Sequence, residues 1–287
     1  MMPLLGQSPV MAPLPPPLKW AGGKRWQVPH IRPLWESVSG SRRLVEPFCG
    51  GLSVALGLQP TFALVNDVNP HLMNFYRHVK AGTLGVVPTE NEREAYGRHR
   101  DRFNHLARMG EHTPESAALF YYLNKTGYNG LCRFNSNGGF NVPFGKRKTV
   151  NYDRPWESYA RQFALWTFTV GDFADVSMQS GDFIYADPPY DVEFTAYSAG
   201  GFRWADQVRA AEWLAKHDGP VILVNQSTRR IVDLYQSLGF AVTYLDAPRR
   251  ISCNGDRTPA QEVFATRNLA KSRTRRFNLA EASPCNS

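Results

Sequence analysis

The sequence predicts an α/β fold: a mainly parallel sheet whose chain is interrupted by a helical and hairpin insert. Three observations carry this reading. Short apolar runs bounded by turn residues recur at 44–48, 62–67, 183–186 and 220–225, as expected of strands buried on both faces. Amphipathic helical spacings stand between them, which is the alternation that builds a parallel sheet. From about residue 89 to 161 the alternation lapses into polar sequence rich in Arg, His and Asn.

Each element follows from local chemistry. "LVEPF" (44–48) is a short strand, and "CGGLSVALGL" turns on two glycines into a helix of small residues. "FALVND" (62–67) is a second strand. Asn69 then offers an N-cap and Pro70 the first helical position, and Leu72, Phe75, Tyr76 and Val79 mark one helix face. Alternation resumes near Phe168. The run 183–186 is a strand that must stop, because Pro188 and Pro189 donate nothing to a ladder. Val208, Ala211 and Leu214 mark a helix, and 220–225 a strand. Ile231, Leu234, Tyr235 and Leu238 mark a further helix with Gly239 as its C-cap. "FAVTYLD" (240–246) and "QEVFATRN" (261–268) read as a closing antiparallel pair. The expected organisation is a disordered lead-in (1–17), an α/β domain in two pieces (18–88 and 162–270), an insert (89–161) and a mobile basic tail (271–287).

The 287 residues, 43% of them hydrophobic, suffice for a packed core. Lys and Arg exceed Asp and Glu by 33 to 25, giving a net charge of +8, which points to a polyanionic partner such as nucleic acid. No stretch is long and apolar enough to span a bilayer. The proline-broken start lacks the basic region of a signal peptide. Cys49, Cys132, Cys253 and Cys285 form no CxxC pair, so neither a zinc site nor a disulfide framework is indicated. A reduced cytoplasmic setting fits.

Three groups of residues carry chemistry. Gly50 and Gly51 follow the first strand, and Asp67 ends the second, seventeen positions after Gly50. Ligands of open parallel sheets bind at these strand ends, where an acid can hold both hydroxyls of a ribose. With no G-x-G-x-x-G cradle for a pyrophosphate, a nucleoside without phosphates fits better; alone, the glycines would read as a tight turn. Asp187 also ends a strand and faces the same crevice. Its carboxylate and the Pro188 carbonyl are two adjacent acceptors, Pro188 and Pro189 stiffen the turn, and Tyr190 adds a flat ring. That set suits an aromatic amine such as adenine N6 or cytosine N4. The third group is the stretch 116–152, which has no Asp or Glu. It interleaves Lys125, Arg133, Lys146, Arg147 and Lys148 with aromatics and with Asn124, Asn129, Asn135, Asn137 and Asn141. Arg and Asn read guanine and adenine, while Lys and Arg hold phosphates.

Taken together, "LKWAGGK" (18–24), "LVEPFCGG" (44–51), "NDVN" (66–69), "YLNKTGYNGLCRFN" (122–135), "FNVPFG" (140–145), "YADPPY" (185–190), "FTAYS" (194–198) and "RRISCNG" (249–255) resemble, in order, the Dam-like adenine-N6 DNA methyltransferases, the D12 class of the alpha group. The resemblance implies a Rossmann-like S-adenosylmethionine-dependent methyltransferase sheet with an inserted helical and hairpin target-recognition domain. It implies S-adenosylmethionine as methyl donor, duplex DNA as partner, and no metal. By this analogy Trp20, Lys24, Phe48, Gly50, Asp67 and Asp187 line the cofactor pocket, and a flipped adenine meets Asp187, Pro188, Pro189 and Tyr190. The implied site is GATC: Lys19 at the first guanine, Arg133 at the guanine paired with the last cytosine, Leu131 and Pro143 at the thymine methyl, and Tyr128 and Asn129 at the gap left by the adenine. Asn124, Asn135, Lys146 and Arg147 complete the expected DNA-binding set. A monomer is implied, with room for a separate cognate restriction endonuclease. The linker from Tyr190 to Phe194 is short for the family, and "NQST" (225–228) matches it loosely. Two rivals share the crevice: an amino-methyltransferase acting on cytosine N4, RNA or a protein amide, and a DNA-binding homologue with a dead site.

Overall fold

The computed structural model describes residues 13–38, 42–191, 201–248 and 260–269. Among the described residues, seven strands form one sheet. They are β1 (Arg43–Glu46), β2 (Phe62–Asp67), β3 (Trp166–Val170), β4 (Phe183–Ala186), β5 (Val221–Gln226), β6 (Ala241–Ala247) and β7 (Ala260–Arg267), in the spatial order β3-β2-β1-β4-β5-β7-β6. The first five in that order are parallel, and β7 runs antiparallel to both β5 and β6. The chain moves outward from β1 to β3, then returns to the other side of β1 with β4. The switch point therefore lies between β1 and β4, and a crevice opens beyond their carboxyl ends.

Strand alternation divides the core between two faces. Leu44, Val65, Phe183, Tyr185, Ile222 and Val224 join one apolar cluster, while Val45, Leu64, Ile184, Ala186, Val221 and Leu223 join the other. Helices cover both sides, which is why the parallel strands read as continuous apolar runs. On the first face lie α1 (Val28–Ser37), α2 (Ala55–Leu58) and α3 (Pro70–Ala81); on the second, α7 (Trp204–Ala215) and α8 (Arg229–Ser237). Asn69 caps α3 as expected, its side chain accepting from the N–H groups of His71 and Leu72. Gly239 follows α8 at φ +81°, one position past the last helical turn. Helix α1 was not anticipated, although Ile31, fully buried, anchors it.

The insert holds α4 (Arg93–Arg108), α5 (Pro114–Thr126) and a long hairpin, and α6 (Trp156–Phe163) leads back to the sheet. Every residue of α5 from Ser116 to Thr126 is buried, so this helix is the insert's core element. Tyr121 stacks on Phe75 of α3, ring centroids 5.6 Å apart. Insert and sheet thus share one apolar cluster rather than having two. Bridges between Phe134 and Phe140 and between Gly127 and Phe144 close the hairpin, and Phe134 stacks on His71 at 5.2 Å. Ahead of Leu18, Leu14 packs on the core and the Pro15 carbonyl accepts from Tyr159 Oη at 2.6 Å.

Candidate active site

The first wall of the crevice is a glycine turn held by an acid. Gly50 adopts φ +44°, and its N–H donates to Asp67 Oδ2 at 3.1 Å. The other carboxylate oxygen, Oδ1, accepts from the Asn69 N–H at 2.9 Å. Tyr76 Oη donates to the Gly50 carbonyl at 2.9 Å. A Cβ on Gly50 would come within 2.5 Å of the Trp20 indole, and one on Gly51 within 2.8 Å of Trp20 Cβ. Two glycines are needed because the "LKWAGGK" segment lies directly on this turn. Phe48 adds an aromatic side with Phe173 and Phe202, at 5.2 and 5.8 Å. Asp67 keeps lone pairs beyond its two backbone bonds, and burial raises its pKa.

The second wall is the end of β4. Asp187 Oδ2 lies 3.1 Å from Lys24 Nζ, with the lysine 6% and the acid 21% exposed. The same ammonium donates to the Gly22 carbonyl at 2.8 Å and stands 4.5 Å from the Tyr190 ring centroid. Burial pushes the Asp187 carboxyl up to about 6, and Lys24 opposes that rise. Pro188 is buried and Pro189 exposed. Trp20 thus lies on the glycine turn that Asp67 holds, and Lys24 joins Asp187 to the Tyr190 ring.

Two further acids belong to this site that sequence reasoning missed. Glu46 is 3% exposed, its Oε1 has no hydrogen-bond partner among the described residues, and burial pushes its pKa up to about 8. An acid inside an apolar strand, as in "LVEPF", is the signal that was available. Glu262 of β7 accepts from Gln27 Nε2 at 2.9 Å, and Gln27 Oε1 accepts from Tyr185 Oη at 2.8 Å. Glu262 also acts electrostatically on Asp187 and Tyr190, and these bonds have no local sequence signature.

The hairpin presents the other expected contacts. Tyr128, Asn129, Arg133, Asn135, Pro143, Lys146 and Arg147 are exposed, and Leu131 is half-buried. Arg133 Nε donates to Asn141 Oδ1 at 2.8 Å, which aims the guanidinium. Asn135 Oδ1 accepts from the N–H groups of Asn137 and Gly139 and so shapes the hairpin tip. Lys19 packs its stem against Gly130, where a Cβ would come within 2.4 Å, and its Nζ donates to the Lys125 carbonyl at 2.9 Å. Burial, then Arg147 and Arg154, bring the Lys19 pKa down to about 8, and burial with the same neighbours does this to Lys125.

One expected DNA contact is corrected. Asn124 is fully buried. Its Oδ1 accepts from the Lys19 N–H at 2.9 Å, and its Nδ2 donates to the carbonyls of Lys19 and Gly130 at 2.8 and 3.2 Å. The amide is committed to joining the hairpin turn to the "LKWAGGK" segment and offers nothing to a base. "FTAYS" and "RRISCNG" lie outside the described residues.

The family model for "D12 class N6 adenine-specific DNA methyltransferase" matches residues 20–251. The retron Ec67 DNA adenine methylase of Escherichia coli is 34% identical over 262 residues, covering 86% of this chain and 90% of that protein. A DNA adenine methylase of Vibrio cholerae is 35% identical over 269 residues, covering 86% and 94%. A type II methyltransferase of Lactococcus lactis subsp. cremoris is 34% identical, covering 82% and 89%. The matched span takes in the glycine turn, Asp67, the hairpin and the D-P-P-Y strand end, and the chain belongs to the D12 class of N6 adenine-specific DNA methyltransferases.

Proposed function

We propose that the enzyme moves the methyl group of S-adenosylmethionine to N6 of an adenine flipped out of duplex DNA, within GATC. The observation that carries this reading is the position of Asp187, which stands beside the Tyr190 ring at the same strand ends as Asp67 and the glycine turn. The cofactor suits these residues. Asp67 has acceptor positions left for ribose hydroxyls, Phe48 and Phe173 form an aromatic side, and the turn against Trp20 has no pyrophosphate cradle. When bound, S-adenosylmethionine supplies an electrophilic methyl group.

The remaining work belongs to the chain. Asp187 and the Pro188 carbonyl accept the two N–H bonds of the adenine amine, and Tyr190 stacks on the ring. Those bonds localise the N6 lone pair and fix its direction, so catalysis is mostly positioning and preorganised charge. Lys24 keeps Asp187 ionised and occupies the ring face and carboxylate that the base needs. Its second partner, the Gly22 carbonyl, holds it when the base arrives. The methylated amine must lose one proton, and Asp187 is the base within reach.

For recognition, Arg133 makes the bidentate contact to guanine O6 and N7, worth roughly 1–3 kcal/mol of discrimination. Lys19 serves the first guanine, Leu131 and Pro143 the thymine methyl, and Tyr128 and Asn129 the gap in the duplex. Asn135, Lys146 and Arg147 contact the backbone or its neighbourhood. Single-molecule sequencing of DNA treated with the enzyme tests the site: N6-methyladenine is expected mainly in GATC, and modification mainly elsewhere would overturn it.

A further inference from the structure

The D-P-P-Y stretch leaves the sheet with little to hold it. Strand β4 ends at Ala186, and the two prolines that follow have no N–H to donate. Support comes instead from Asp191, the residue after the motif, which is 8% exposed. Its N–H donates to Asn225 Oδ1 at 3.2 Å. Its carboxylate accepts from Thr228 Oγ1 at 3.2 Å and from both Nε and Nη2 of Arg230. The Arg230 guanidinium is steadied by the Trp204 ring, 4.8 Å from its centroid. On the other side of Tyr190, Gln207 Nε2 donates to the Pro189 carbonyl at 2.7 Å. Asn225 Nδ2 links the two grips by donating to Gln207 Oε1 at 3.0 Å and to Tyr235 Oη at 3.2 Å.

Three elements therefore converge on the residues that flank Tyr190: α7 through Gln207, the end of β5 through Asn225, and the start of α8 through Thr228 and Arg230. We propose that Asp191 and Arg230 are positioning residues of the methyl transfer, a clamp that fixes the Tyr190 ring and the Pro188 carbonyl relative to Asp187. The proposal rests on the roles given above to Asp187 and Tyr190. A buried carboxylate gripped by a planar fork defines an orientation as well as a distance. The reacting geometry is sensitive to such control, since a shift of about 1 Å can cost on the order of 100-fold in rate. The acid is not there to start α8, because Thr228 Oγ1 already accepts from the Ile231 N–H as the helix cap.

The test uses the full chain with Asp191→Asn, Arg230→Gln and Arg230→Lys, at a temperature where circular dichroism shows each folded. Single-turnover methylation of duplex DNA at saturating DNA and S-adenosylmethionine should fall roughly tenfold or more in the first two variants. The dissociation constants for cofactor and DNA should change little. Arg230→Lys, which keeps the charge but loses the fork, should fall between. Hydrogen exchange should quicken at the Tyr190 and Asp191 amides and not across the sheet. Wild-type rates in the first two variants would overturn the clamp. So would a rate loss matched by an equal loss of cofactor affinity or by protection lost throughout the fold, which marks a purely structural pair. If the wild-type enzyme leaves duplex adenine unmodified, the roles of Asp187 and Tyr190 fail instead. The exchange measurement then decides the clamp on its own: unchanged protection at Tyr190 and Asp191 rejects it.

Discussion

At Asp187, burial and a neighbouring ammonium pull in opposite directions. Burial raises the carboxyl to about 6 and Lys24 restrains the rise. Only the ionised form accepts both ways from an amine, so the methyl-transfer rate should fall as pH drops below about 6. Lys24→Met removes the restraint and should move that acid limb to higher pH. Single-turnover rates across the range decide this, and an unmoved limb would remove Lys24 from the role. Glu46 makes a separate statement about stability. Its carboxyl is raised from 4.5 to about 8, so between those values the folded state holds a proton that the unfolded chain releases. Stability from this group is then full at low pH and declines as pH rises through the window, by roughly 1.4 kcal/mol per unit. Glu46→Gln, neutral throughout, should flatten that decline and melt higher than the wild type near pH 8. Thermal melts at several pH values would show it, and parallel curves for the two proteins would contradict it.

Among the elements, the "LKWAGGK" segment and the hairpin are joined through Asn124, which bonds the Lys19 backbone twice and the Gly130 carbonyl once. Asn124→Ala leaves buried partners unsatisfied, each worth about 1–3 kcal/mol, and should lower stability by a few kcal/mol in denaturant titrations. A variant as stable as the wild type would show that the joint carries no load. Asp67→Ala should weaken S-adenosylmethionine binding by about 1.5–3 kcal/mol if the ribose bond is charge-assisted, a change calorimetry reads directly; unchanged affinity would put the ribose elsewhere. These elements also show what a sequence discloses. Strands β2 and β4 were legible because apolar runs stop abruptly at an acid or a proline, and α3 because its cap and its buried face agree. The positions of Asp67 and Asp187, at the end of β2 and just past the end of β4, could be read from where the apolar runs stop. Asn124 was misread because exposure is not written in composition: an amide in a basic stretch looks the same whether it faces a base or ties two backbones together. Helix α1 was missed because Pro33 lies inside it and Pro29 in its first turn, which obscures the periodicity. The clamp on Asp191 and the Gln27–Glu262 pair went unseen because their partners lie far apart in the chain and meet only through the sheet.

Across the whole molecule, the excess of +8 gathers partly around the hairpin. Lys19 and Lys125 stand near Arg147 and Arg154, and their pKa values have come down to about 8. A DNA phosphate beside them would raise both, so binding should take up protons near pH 8, seen as a dependence of binding heat on buffer ionisation enthalpy. Lys146→Ala should weaken binding on every sequence and lower the salt slope by about 1, whereas Arg133→Ala should relax discrimination at the last base pair. The claim on which the rest depends is that the Asp187 crevice methylates adenine at N6. The most direct measurement incubates duplex DNA containing GATC with the enzyme and isotopically labelled S-adenosylmethionine, digests it to nucleosides and identifies the labelled product by mass spectrometry, with Asp187→Ala alongside. The label should appear in N6-methyladenine for the wild type and be lost in the variant. Label in N4-methylcytosine, or an Asp187→Ala enzyme that still forms N6-methyladenine at near wild-type rate, would contradict the account.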